Sequence, residues 1–193
     1  KRIIYEAKNM NVETIVFTGG EPLMYRGLAE LIDLTSKLGM KSTLYTFAYR
    51  NKENLNKYKE LLHNGLNKII YSIADILSEQ YDVSTYSHID FFDKVFKDGY
   101  GKLGFHYTVS KDSIGKMNEV IANTLNLFND KPYFDKISLL RFVPHGKGVA
   151  EMDLTKQDLL MVKDLYLKQE NKKKLRLGSP WNILGIDNVP CII

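Results

Sequence analysis

The stretch Val16–Met24, VFTGGEPLM, decides the fold because it marks the point where a strand gives way to a helix. A short β-branched run, Thr14–Thr18, ends on two glycines, which an acid and a proline follow. Glycines admit backbone conformations closed to other residues and let a ligand come close. The acid, Glu21, is therefore a candidate acceptor for an amino group; the alternative is that it merely favours the N-terminus of the next helix.

The familiar glycine-rich nucleotide motifs do not explain this stretch. A dinucleotide-binding turn needs the pattern G-x-G-x-x-G, and a phosphate-binding loop needs G-x-x-x-x-G-K-S/T. The sequence around Gly19 and Gly20 matches neither pattern. The failure of these motifs favours an amino group over a phosphate as the ligand of the turn.

Outward from this stretch, strand-like and helix-like segments alternate along the chain. Strands are predicted at residues 14–18, 41–48, 68–74, 103–109, 136–143 and 174–178, and helices at 1–10, 25–40, 53–65, 88–99, 114–128 and 154–170. The strands begin at intervals of roughly 26 to 38 residues, the size of a βαβ unit. Several strands are near-continuous apolar runs, as expected where both faces of a sheet are covered. The pattern predicts an α/β fold with a parallel sheet, either doubly wound or barrel-like.

The chain opens on a helix-like segment, residues 1–10, directly before the first strand. A βα repeat that begins on a helix suggests that an upstream strand is missing. The strand at Thr14–Thr18 would then form an exposed sheet edge, and exposed edges invite pairing with another chain. We therefore expect self-association at this edge.

Composition and charge exclude several classes of protein. The 193 residues are 44% hydrophobic and carry a net charge of +4, an ordinary balance for a soluble globular protein. No apolar run reaches the roughly 18 residues of a membrane span, and the charged start is unlike a signal peptide. The basic run Asn171–Arg176 is typical of a solvated helix end, so we expect no nucleic-acid partner and no membrane.

The single cysteine, Cys191, sets two limits. An intramolecular disulfide is impossible, so the sequence fits a reducing compartment, and we predict a cytoplasmic protein. One cysteine by itself also cannot hold an iron–sulfur cluster.

The sequence Thr-Gly-Gly-Glu-Pro between a strand and a helix resembles the radical S-adenosylmethionine (radical SAM) enzymes. In that family the segment follows the second strand of a partial (β/α)6 TIM-like barrel and holds the amino group of the methionine moiety of the cofactor. The resemblance implies such a barrel here, with a parallel sheet and its first strand missing. It also implies cofactor binding by Gly19, Gly20, Glu21 and Pro22.

Two further strand ends extend the resemblance. The segment LYTFA is similar to the end of the family's third strand, usually Thr-Asn-Gly; Thr46 matches, while Phe47 and Ala48 depart from it. The segment IIYSIAD resembles the fourth strand, where Ser72 matches a serine that helps to hold the methionine end of the cofactor. The resemblance thus adds Thr46 and Ser72 to the cofactor-binding residues.

The last third of the chain resembles members with a SPASM/twitch-type extension. In these members the segment similar to Leu139–Gly148, LLRFVPHGKG, reaches the adenine through its backbone. Arg141 is a candidate for carboxylate or adenine-side binding; the alternative is an ion pair with an acid on a neighbouring strand. The resemblance implies an incomplete barrel over residues 1–178 and the start of a truncated C-terminal extension over 179–193. Cys191 would be the first cluster ligand of that extension.

One departure from the family is large. The signature C-x-x-x-C-x-x-C, which holds the [4Fe–4S] cluster on the loop after the first strand, is absent. The chain is therefore interpreted as a fragment with no turnover of its own. The resemblance implies that the full-length protein uses S-adenosylmethionine and a [4Fe–4S] cluster to make a 5′-deoxyadenosyl radical. It further implies an electron donor such as a flavodoxin or ferredoxin, and substrate hydrogen abstraction, for which we expect a role in peptide or protein maturation.

Two other functions are compatible with the sequence. The first is a cluster-free α/β barrel module that binds a nucleotide-like or amino-acid ligand. The second is a different α/β enzyme that uses Asp75, Arg141 and His145 for metal-free acid–base chemistry, although nothing in their spacing favours it.

Overall fold

The structure, a computed structural model, describes residues 1–48, 50–73, 87–144, 150–168, 172–178 and 181. The strands are β1 (Thr14–Phe17), β2 (Lys41–Thr46), β3 (Lys68–Ser72), β4 (Lys102–Val109), β5 (Phe134–Arg141) and β6 (Leu175–Leu177). The helices are α1 (Arg2–Asn9), α2 (Leu28–Lys37), α3 (Lys52–His63), α4 (His88–Val95), α5 (Met117–Phe128) and α6 (Lys156–Lys168). Short 3₁₀ turns lie at Pro22–Met24, Ile114–Lys116, Ala150–Met152 and Lys172–Lys174. The predicted alternation of strands and helices is confirmed.

The strands form one sheet in chain order, from β1 to β6. The pairs β1–β2, β2–β3 and β5–β6 run parallel. A doubly wound sheet reverses its strand order at a switch point, whereas this sheet does not. The order therefore selects the partial TIM-like barrel of the two predicted architectures.

The strand β1 lies at one end of the sheet and, among the described strands, pairs with β2 alone. Its residues are exposed or half-buried, and Val16 keeps 46% of its side chain accessible. The central strand β3 buries three consecutive residues, as predicted for a strand covered on both faces. The predicted exposed edge is thus present at β1.

The chain divides into two compact units, and the first comprises Lys1–Ser72, Ser78–Gly104 and Asp130–Phe134. Its core contains a chain of edge-to-face aromatic contacts. The Phe91 ring lies 5.6 Å from Tyr58 and 5.3 Å from Phe92, and Phe92 lies 5.2 Å from Tyr71. These rings fix α3 and α4 against β3, which anchors the carboxyl ends of the neighbouring strands.

The second unit comprises Ile73–Leu77, Phe105–Asn129 and Asp135–Ile193. Phe105 of β4 packs on Phe128 of α5, with ring centroids 4.9 Å apart. The fully buried Trp181 donates a hydrogen bond from Nε1 to the carbonyl of Leu139 at 2.9 Å, so its polar atom is satisfied inside the core.

Side-chain caps explain where several helices begin. Asn51 accepts a hydrogen bond from the Asn54 amide at the start of α3, and Ser87 does the same for Asp90 at α4. Before α6, Thr155 and Asp158 bond reciprocally: the Thr155 amide donates to the carboxylate and the Asp158 amide donates to the hydroxyl. This is the capping arrangement that their spacing predicts.

Across the ranges that the structure describes, every helix is too short or too polar to cross a lipid bilayer.

Candidate cofactor site at the strand ends

The turn after β1 takes backbone conformations that L side chains rarely adopt. Gly19 has a φ of +91° and Gly20 a φ of +44°. A Cβ atom added to either glycine would meet nothing within 4 Å, so the backbone borders open space. The prediction that the glycine pair serves both turn and approach is therefore consistent with the geometry.

The Glu21 carboxylate lies in a shell of neutral donors. Its Oε1 accepts hydrogen bonds from the Leu23 amide at 3.0 Å and the Thr46 hydroxyl at 2.8 Å. Its Oε2 accepts one from the Phe47 amide at 3.0 Å. The bond to Leu23 caps the 3₁₀ turn, so the simpler interpretation of Glu21 holds as well. Both predicted roles of the acid are thus available together.

The third donor belongs to one of the two positions that depart from the family pattern. Phe47 and Ala48 replace the usual Asn-Gly after Thr46. The contact to Glu21 comes from the Phe47 backbone, and the Phe47 side chain points outward with 62% of its surface exposed. Any residue at this position other than proline could supply the same donor.

A second layer of polar groups supports the loop after β2. The hydroxyl of Tyr71 donates to the Ala48 carbonyl at 3.1 Å and accepts from the Arg50 guanidinium at 3.2 Å. The hydroxyl of Tyr58 lies 3.1 Å from that of Thr46. Burial raises the pKa of Tyr58 well above its ordinary value. The Tyr58 hydroxyl therefore stays protonated at any physiological pH.

The open side of the carboxylate borders a cavity. A space of about 390 Å³ is lined by Glu21, Leu23, Met24, Phe47, Ala48, Asn54 and Lys57. A carboxylate has about four lone-pair positions, and described residues use three of those on Glu21. The remaining position, on Oε2, can accept a hydrogen bond from an ammonium group.

The register of the sheet brings most of the predicted residues to one edge. Thr46 pairs with Tyr71 across β2 and β3, so Ser72 lies one step beyond Thr46 at the same strand ends. The Ser72 side chain is exposed. The structure thus groups the following predicted residues in the first unit: Gly19, Gly20, Glu21, Pro22, Thr46 and Ser72.

Arg141 lies in the second unit, at the end of β5. Its Nη2 atom donates to both carboxylate oxygens of Asp153, at 3.1 and 3.0 Å. Asp153 follows the 3₁₀ turn Ala150–Met152 rather than belonging to a strand, so the predicted alternative of a strand partner is wrong in that detail. The buried Nε of Arg141 has no hydrogen-bond partner among the described residues.

Three predicted residues lie outside the described part of the chain: Asp75, His145 and Cys191. Within the described part, no group of three or more His, Cys, Asp or Glu side chains could hold a metal ion. The whole sequence contains one cysteine, so a [4Fe–4S] cluster does not fit the ligands of this chain.

Sequence reasoning missed the supporting residues Arg50, Tyr58 and Tyr71. The apolar pattern of α3 places Tyr58 on the buried face, and the structure confirms this burial. The only sequence-based indication of a supporting role was chemical, because a buried tyrosine hydroxyl requires a hydrogen-bond partner. The pattern could not say that the partner is Thr46.

Comparison with known proteins adds an independent line of evidence. No protein-family model matches the sequence. The GTP 3′,8-cyclase of Clostridium perfringens is 26% identical over 205 residues, which cover 96% of this chain and 57% of the relative. The chain thus spans little more than half the length of this relative.

Two solved structures share the fold. Streptococcus suis SuiB aligns with a TM-score of 0.62 at 17% identity, over 92% of this chain and 41% of SuiB. SuiB has also been solved bound to S-adenosylmethionine and bound to precursor peptide SuiA. A domain of pyruvate-formate lyase-activating enzyme from Bacteroides vulgatus aligns with a TM-score of 0.55 at 14% identity, over 85% of this chain and 98% of that domain.

Fold and site together define a partial α/β barrel with an acid held among neutral donors at the carboxyl ends of its strands. The sequence relatives and the structural neighbours all point to the radical S-adenosylmethionine superfamily.

Proposed function

We propose that this chain is the S-adenosylmethionine-binding part of a radical SAM iron–sulfur enzyme. The observation that carries the proposal is the Glu21 carboxylate, which keeps one acceptor position on Oε2 beside a turn of two glycines. A charge-assisted hydrogen bond from the cofactor's ammonium group to that oxygen would be among the strong ones. The relation to GTP 3′,8-cyclase and the SuiB structure with bound S-adenosylmethionine support it.

Each residue of the proposed site has a distinct task. Glu21 accepts the amino group, and the backbone of Gly19 and Gly20 lets the methionine moiety come close. Pro22 is buried and stiffens the exit from the turn. Ser72, at the end of β3, would help to orient the methionine end of the cofactor. The protein thus binds and positions, while the cofactor carries the hard chemistry.

The proposed reaction of the whole protein is reductive cleavage of S-adenosylmethionine to a 5′-deoxyadenosyl radical for substrate hydrogen abstraction. The cluster that this reaction requires does not fit this chain, which has one cysteine. Its ligands would come from parts of the protein beyond the shared segment, since relatives are longer. We therefore expect no turnover from these 193 residues alone.

Titration calorimetry with S-adenosylmethionine tests the proposal. Wild-type chain should bind the cofactor, and Glu21→Ala should weaken binding about tenfold or more, because a hydrogen bond to a charged group is lost. The matched control is Glu13→Ala, which removes an exposed acid just before the other end of β1. Equal affinity of Glu21→Ala and wild type would remove Glu21 from the site, and no binding by wild type would refute the proposal.

Two substrate classes compete for the whole protein. A peptide is our first proposal, from the SPASM-like end of the sequence, and the SuiB structure with precursor peptide SuiA supports it. A nucleotide is the second, because the sequence relatives are named GTP 3′,8-cyclase. Calorimetry with GTP as titrant separates them: saturable binding that ATP does not reproduce would favour the nucleotide, and no binding would favour the peptide.

The remaining expectations concern partners and the C-terminal part. We propose that residues 179–193 begin an extension in which Cys191 ligates an additional cluster together with cysteines beyond it. A flavodoxin- or ferredoxin-type protein would supply the electron. Self-association at β1 is proposed for this chain alone, since a preceding strand in the whole protein would cover that edge.

A further inference from the structure

The hydrogen-bonding capacity of the Thr46 hydroxyl is fully used within the protein. A threonine hydroxyl offers one donor and two acceptor positions. Its proton goes to Glu21 Oε1, because a carboxylate can only accept. One acceptor position receives the Ala48 amide at 3.2 Å, and the other faces the Tyr58 hydroxyl at 3.1 Å. Thr46 therefore has nothing left to offer a ligand.

The direction of the bond between the two hydroxyls follows from this count. Since Thr46 spends its only proton on Glu21, the Tyr58 hydroxyl must be the donor. Tyr58 is fully buried, and its ring is held edge-to-face against Phe91. The series of donors thus runs from a rigid residue of α3, through Thr46 at the end of β2, to the carboxylate that follows β1.

We infer that Tyr58 is a positioning residue for the cofactor site, and that Thr46 passes its orientation to Glu21 instead of touching the cofactor. Tyr58 fixes the Thr46 rotamer, Thr46 fixes Oε1, and the free acceptor position on Oε2 is thereby aimed at the ligand. Chains of hydrogen bonds polarise one another, so the donation also reinforces the bond to the carboxylate. This inference rests on the proposed function, and it changes the role that the resemblance implies for Thr46.

Tyr58→Phe is the sharpest test because it removes one hydroxyl and keeps the ring that packs on Phe91. The affinity for S-adenosylmethionine should fall about threefold to tenfold, the loss expected for one hydrogen bond. The matched control is Tyr133→Phe, which removes a hydroxyl that donates to Asp93 at 2.6 Å, before the amino end of β5. That variant should lose stability without losing affinity.

Amide hydrogen exchange gives a second readout that does not require the cofactor. In Tyr58→Phe the Phe47 amide, which donates to Glu21 Oε2, should exchange several-fold faster, while Tyr133→Phe leaves it unchanged. Affinity and exchange both equal to wild type would overturn the inference. If wild type failed to bind S-adenosylmethionine, the proposed function would fall, and the exchange rates would still decide whether Tyr58 positions Glu21.

Discussion

Two charged residues at the strand ends, Glu21 after β1 and Arg141 at the end of β5, are held in opposite ways. Glu21 is surrounded by two amides and a hydroxyl, none of which carries a charge. Arg141 faces Asp153, which accepts two hydrogen bonds and cancels its charge. Neutral hydrogen-bond donors hold a charged group in place without neutralising it, so the charge can still pair with a ligand. An ion pair neutralises the charge. Position at a strand end is therefore insufficient to identify a binding residue.

Burial sharpens the contrast. The Arg141 and Asp153 side chains are 19% and 30% exposed, so the pair is partly shielded from water. The carboxylate of Glu21 borders a cavity of about 390 Å³ that a ligand could enter. Among the described residues, the Glu21 site combines a carboxylate fixed by neutral hydrogen-bond donors with a bordering cavity.

The largest expected effect comes from removing the Thr46 hydroxyl, one of the neutral donors around the Glu21 carboxylate. Thr46→Val keeps the shape of the side chain but strips partners from Tyr58, Ala48 and Glu21. Because buried polar groups are left unsatisfied, the free energy of unfolding should fall by about 2–4 kcal/mol. Urea denaturation measures this loss, and Thr46→Ser should recover most of it. A loss below about 0.5 kcal/mol for the valine variant would show that the shell is unimportant.

A smaller effect is expected at the second site. A double-mutant cycle with Arg141→Gln and Asp153→Asn should give a coupling energy of about 1 kcal/mol, near the upper end for partly exposed ion pairs. Coupling measured by denaturation should decrease with added salt. The cycle should leave S-adenosylmethionine affinity unchanged if the ion pair is the main role of Arg141. A tenfold loss of affinity would instead support Arg141 as a cofactor residue.

The sequence predicted the elements well because each depends on local pattern. Apolar periodicity located the strands and helices, and the capping bonds between Thr155 and Asp158 likewise join residues three positions apart. The glycine turn was predictable for the same reason, since positive φ is a property of single residues.

The supporting contacts were beyond prediction because they join residues far apart in the chain. Tyr58 and Thr46 belong to α3 and β2, and their hydroxyls meet only when the helix packs on the sheet. The partner of Arg141 comes from an irregular segment, for which periodicity carries no information. The local sequence pattern predicted the position of Glu21, whereas tertiary packing determines which groups donate hydrogen bonds to it.

The most direct test of the pairing between Glu21 and the amino group compares the binding of two ligands to wild type and to Glu21→Ala. S-adenosylmethionine carries the amino group assigned to Glu21, and 5′-methylthioadenosine lacks it. Calorimetry should show that Glu21→Ala weakens S-adenosylmethionine binding about tenfold or more and leaves 5′-methylthioadenosine binding unchanged. An equal loss for both ligands, or no loss for either, would contradict the pairing of Glu21 with the amino group.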